Sequence, residues 1–199
     1  MGEHAPPQSP SAPDDGHAAD LQVIDAVEKW LQRVVIGWNL CPFARAPHAL
    51  GRVRMRVSRA QDTDALLVDL AEELLSLQAA DPSVVETTLL VHPDVLEDFF
   101  EYNDFLDVAD ECLRQLDLDG ELQIASFHPD YQFAEASAHA IENYTNRSPY
   151  PILHLLRESS IERAAALMPD TGDIYRRNIE TLRELGLDGW RALTAKEDP

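Results

Sequence analysis

The tripeptide His-Pro-Asp occurs twice, at His92-Pro93-Asp94 and His128-Pro129-Asp130, each time directly after an apolar run that reads as a strand. In an α/β domain ligands sit at the carboxyl ends of strands and the loops there carry chemistry, so two imidazoles in that position mark a candidate site. Borderline divalent metals take neutral imidazoles and carboxylates. His92, His128 and Asp130 would form such a set if strands two and three were neighbours, with a divalent metal as cofactor. Without a metal, the same histidines could act as general acid and base, because imidazole titrates near neutral pH and Asp130 could orient it. The competing account is turn chemistry: proline ends the strand, Asp caps the next helix, and histidine bonds a backbone carbonyl. Asp94 fits that account through a capping box running to Glu97 and is left out of the site. The residues after Asp130 start no clear helix, so Asp130 is kept.

Cys41 falls in the turn Asn39-Leu40-Cys41-Pro42-Phe43-Ala44. If that turn folded over the strand ends, a Cys-His pair would result in which imidazole promotes thiolate formation. Equally, Cys41 reads as a small apolar residue packed under Trp38 and Phe43. Cys112 shares a helical stripe with Phe105, Ala109 and Leu116 and is assigned to the core. The polar, aromatic and proline-limited segment 142–151 is expected to be an ordered loop. In it Asn143, Tyr144, Asn146 and Arg147 are candidate substrate-binding residues, with Arg147 a planar fork for carboxylate or phosphate. His154 lies inside an apolar run and ranks below the other two histidines, as a core residue.

The elements that must position these groups follow from periodicity. Val23, Ile24, Val27, Trp30, Leu31, Val34 and Val35 keep helical spacing, with Gly37 as a stop. Strand-plus-helix units follow at 53–57 with 65–77, and at 87–91 with 95–116. A third strand at 122–127 leads into a less regular segment. A short buried strand at 152–156 and helices at 160–168 and 174–185 complete the chain. The expectation is one α/β domain over 21–195, with about four strands alternating with helices, an N-terminal helix and a C-terminal helical pair. Residues 1–20 are proline-rich with almost no large apolar side chain and read as a disordered tail.

A formal charge of -20 across 199 residues disfavours nucleic acid and anionic bilayers as partners, because both require clustered Lys and Arg. The arginines that do cluster, Arg45, Arg52, Arg54, Arg56 and Arg59, could steer a small anion. Arg52, Arg54 and Arg56 also alternate with apolar residues as a solvated strand face requires. Two cysteines without a disulfide or zinc pattern fit a reducing compartment. No secretory signal or apolar span is recognisable, so the reading is a cytoplasmic protein with a small-molecule ligand.

The segments Trp38 to Ala44, Thr87 to Pro93, Phe127 to Ala134 and Glu142 to Pro151 together resemble a bacterial family described as a domain of unknown function, over about residues 23–193. That resemblance implies a bacterial cytoplasmic protein and carries over no activity. Cys41-Pro42-Phe43-Ala44 is also similar to the cysteine turn of glutathione-transferase and glutaredoxin-like proteins, where a strand delivers the thiol to a helix N-terminus; here a helix precedes it. The functional expectation is a small enzyme with a His/Asp site, hydrolytic and metal-assisted, for a small polar or anionic substrate. The alternatives are a non-catalytic binding or regulatory module and a thiol redox protein dependent on Cys41.

Overall fold

A computed structural model describes residues 15–166 and 172–194. Helix α1 (Asp15–Trp30) buries Val23, Val27 and Trp30 along one stripe and runs directly into a π-helical segment, Leu31–Ile36, which buries Leu31, Val34 and Val35. Residues 15–20, grouped with the tail by composition, form the first turns of α1, and Asp20 there holds Arg59 at 2.7 Å. The rest of the expected tail, residues 1–14, lies outside the described residues. After Gly37 the chain turns through Asn39 (φ 55°) and Cys41 into the short helix α2 (Arg45–Ala49).

Four strands form one mixed sheet: β1 (Val53–Val57), β2 (Thr87–Val91), β3 (Leu122–Phe127) and β4 (Ile152–Arg157), in the order β1-β2-β4-β3. β1 and β2 are parallel and joined through helix α3 (Thr63–Ala79), whereas β4 runs antiparallel to both β2 and β3. Strands two and three are therefore not neighbours, which corrects the arrangement that the metal set needed. The physical reason lies in composition. β2 and β4 are apolar on both faces, and Leu90, Val91, Ile152, Leu153 and Leu155 are wholly buried, so both strands need a neighbour on each side. β1 and β3 carry Arg54, Arg56 and Gln123 and take the edges.

Helices cover both faces. On one face α3 presents Leu66, Leu70, Leu74 and Leu77, all fully buried at helical spacing, beside Tyr102, Phe105, Ala109 and Leu113 of helix α4 (Phe99–Gln115). Each such leucine contributes about 2 kcal/mol of burial. On the other face lie α1, the π-helical segment and helix α6 (Gly172–Thr194), which packs Leu182 and Trp190 inward and bends at Gly186, where φ is 66°. Helix α5 (Glu158–Ala165) follows β4 directly. Asp62 caps α3 by accepting from the Ala65 N–H. The cap of α4 is Asp98, which accepts from Phe100 and Glu101; Asp94 instead pairs with Arg59 at 3.1 Å. The helix cannot start at Asp94 because Leu96 has φ 59° and the carbonyls of Val95 and Leu96 face two histidine rings. Among the described residues no helix is long and apolar enough to cross a membrane.

Candidate functional site

His92 and His128 leave the ends of β2 and β3 toward α4 and are both fully buried. Tyr102 lies between them, its ring centroid 5.7 Å from His92 and 5.1 Å from His128, and Phe99 packs 5.5 Å from His128. Nδ1–H of His92 donates to Val95 O at 3.0 Å and Nε2–H of His128 donates to Leu96 O at 3.2 Å. His128 Nδ1 accepts the Asp130 N–H at 3.0 Å, which fixes its tautomer. Nε2 of His92 is a buried lone pair without a partner. Burial drives the His92 pKa down to about 4, the His128 ring reinforcing the effect, and burial lowers His128 as well. Both rings are neutral at physiological pH. They pin the loop over residues 93–98, the role that turn chemistry assigns to them.

Asp130 is exposed, and what it gives His128 directly is a backbone N–H. Among the described residues no group of three or more His, Cys, Asp or Glu side chains could hold a metal. The set His92, His128 and Asp130 therefore does not assemble as a metal centre. β4 stands between the two strands and keeps their ends apart.

The loop 131–150 closes over the carboxyl ends of β2 and β3, and its polar residues bond backbone groups of the loop and of β3. Asn143 is fully buried; its Oδ1 accepts from the Phe133 N–H at 3.1 Å and its Nδ2 donates to Ser137 O at 2.8 Å. Asn146 donates to Ser126 O at 3.1 Å, tying the loop to β3. Arg147 donates to Ala138 O at 2.9 Å and stacks 4.2 Å over Tyr144, whose other contact is Trp190 at 5.1 Å. The guanidinium that could have forked onto an anion is thus engaged by the loop itself.

The opposite face of the sheet is different. There a cavity of about 710 Å³ opens between the strands and the segment that runs from Trp30 to Leu50. Leu89, Ala125 and Phe127 form part of its floor, Trp30, Leu31 and Val35 a wall, and the Cys-Pro-Phe turn its roof. Leu31 and Val35 belong to the π-helical segment, a geometry that recurs at functional sites. The roof is tethered: Asn178 of α6 donates to Leu40 O at 2.7 Å, and His48 of α2 meets Glu28 of α1 at 2.6 Å. This volume lies within the range of small-molecule sites, and its lining is mostly apolar with a few placed polar groups, as such sites are.

Two of those groups are Cys41 and His154. The Thr87 hydroxyl lies 2.6 Å from Leu155 O, to which it can only donate, so at 2.8 Å it accepts from Nε2–H of His154. Nδ1 of His154 is therefore the unprotonated nitrogen. Burial depresses this imidazole to about 4, so it meets the cavity as a neutral acceptor. Burial also pushes the Cys41 thiol up, against the opposing pull of the Phe43 and Ala44 N–H groups, which is the reverse of what an activated thiolate needs. Cys41 is the one candidate site residue from the sequence that lines this cavity. His154, Thr87 and Trp30 were not among the candidates. The signal for His154 was present: it is the lone polar side chain in the run 152–156, at the centre of the sheet.

A mixed four-stranded sheet, sandwiched between helices and carrying a cavity on one face, defines a small α/β domain with a ligand-sized interior. The chain belongs to the family described as Protein of unknown function (DUF1415), which matches residues 22–192. No curated protein and no solved structure matches it.

Proposed function

We propose that this protein binds a small, largely apolar molecule in the cavity between the sheet and the Cys-Pro-Phe segment. The observation that carries this reading is the cavity itself: about 710 Å³ between a fully formed sheet and a tethered roof. Protein interiors close-pack, so a void of this size under apolar walls forfeits contacts that a ligand would supply. His154 would accept one hydrogen bond from the ligand and thereby orient it. The free thiols Cys41 and Cys112 support placement in a reducing compartment. Nile red, a neutral apolar dye, tests the reading by its emission on titration into the protein. Saturable uptake of one dye per chain is expected, together with its loss in Ala125→Leu, which fills the floor. Absence of saturable uptake by the wild type, or uptake unchanged in Ala125→Leu, would refute the cavity as the site.

A second reading, catalysis through Cys41, is favoured by one observation: a thiol and a neutral imidazole line the same cavity. It requires a bound substrate to lower the Cys41 pKa. Cys41→Ser distinguishes the two readings, since it would leave Nile red uptake intact and abolish any turnover.

A further inference from the structure

Resting on that ligand-binding reading, we propose that the ligand is an amphipathic anion, a compound with a carboxylate or similar head and an apolar body. The chain as a whole has 36 acidic and 16 basic residues. Around this cavity the balance is inverted: the charged lining residues are Arg52, Arg157 and Arg163 against Glu86 alone. A chain with this acidic excess gathers arginines around a large apolar void. Asp81 is a further carboxylate within electrostatic reach of Arg52 and Arg157; it is fully exposed and is not part of the lining.

The charges are placed at one end. Arg52 precedes β1, Glu86 precedes β2 and Arg163 lies on α5 just beyond β4, so all three stand where β1 and β2 begin and β4 finishes. Trp30 and Phe127, in edge contact at 5.3 Å, stand where β3 finishes. From Gln123 to Phe127 the floor spans five strand residues, about 13 Å along the strand. The cavity is therefore polarised along the strands, arginine at one end and aromatic at the other.

The arginines are not saturated by their partner. Arg52 and Arg163 each approach Glu86 only to 3.9 Å, well beyond the ~2.8 Å of a charge-assisted hydrogen bond. Arg163 also donates to Ser160 Oγ at 2.9 Å. Arg157 is committed elsewhere, donating to Ala80 O at 2.7 Å at the end of α3, and contributes field instead of contact. A ligand head would take the two loosely held forks of Arg52 and Arg163. His154, a neutral ring, supplies no charge, so the choice of head falls to the arginines.

Competition with bound Nile red by octanoate, octanol and octylamine tests the class of ligand. Octanoate is expected to displace the dye at about one-tenth the concentration of octanol, and octylamine to be the weakest. Arg163→Gln, at an exposed site, should erase most of the octanoate advantage, and Glu86→Gln should increase it. Equal displacement by octanoate and octanol, or an advantage untouched by both variants, overturns the anion assignment while leaving the cavity reading standing. If Nile red does not bind and none of the three compounds gives a calorimetric signal, both readings fall together.

Discussion

The two faces of the sheet both bury histidine, and they do opposite things with it. On the α4 face His92 and His128 spend their hydrogen bonds on the carbonyls of Val95 and Leu96, and Tyr102 fills the space between the rings. On the α1 face His154 spends one nitrogen on Thr87 and keeps the other beside an open volume. Both His92 and His154 are held neutral, with pKa values near 4 and the same desolvating cause. The difference lies in packing: a perturbed imidazole in a filled core is a structural pin, and one beside a void can meet a ligand. Titration behaviour alone does not separate the two cases.

The largest test of this contrast uses pH. Above about pH 6.5 the rings are neutral in both folded and unfolded chains. Below it the unfolded chain takes up protons that the folded chain refuses until about pH 4. Stability therefore falls across that window by about 3 kcal/mol for each of His92 and His154. Urea unfolding of wild type and His154→Gln at pH 7 and pH 4 should show the gap between them move by that amount in favour of the variant. With a cavity ligand bound, the loss on acidification should shift for His154 and stay unchanged for His92.

Next in size is Tyr102→Phe. The hydroxyl donates to Ile152 O at 2.8 Å and accepts from the Phe127 N–H at 3.2 Å, so its removal takes a partner from a buried carbonyl of β4 and from a part-buried N–H of β3. A loss of about 2 kcal/mol is expected in denaturant titration, with Nile red uptake at saturation unaltered. Reduced uptake in the folded variant would mean that the two faces are coupled. Arg147→Gln removes the donor to Ala138 O and the stack on Tyr144, and about 1 kcal/mol should go with it. If octanoate affinity fell more than stability in this variant, the loop would be a ligand contact after all. The smallest effect concerns Cys41: iodoacetamide at pH 7 should alkylate it more slowly in the folded protein than in urea, because burial raises the thiol. A faster reaction in the folded state would favour thiol chemistry.

Much of the fold could be read from local pattern. The buried stripe of α1, the helix after β1 and the apolar runs of β2 and β4 are short-range signals, and the structure follows them. Strand order was not readable, because Leu89 meets His154 and Ala125 meets His154 through pairings that no local period encodes. The cavity was hidden for the same reason: its lining runs from Trp30 to Ala164 and comes from eight separate elements and the turns between them. The sequence offered Asp94 as the cap of α4, whereas the cap is Asp98. The choice between them depended on which carbonyls the distant His128 would claim.

The position of β4 also bears on how the protein is made. As the ribosome delivers the chain, β2 emerges with one edge already destined for a partner some sixty residues away, and β3 follows without a neighbour of its own. Neither strand can be zipped to the other until Ile152–Arg157 has cleared the exit tunnel and threaded between them. Nascent chains stalled before that point would display two apolar ladders with open sides, the form most easily captured by a chaperone or by each other.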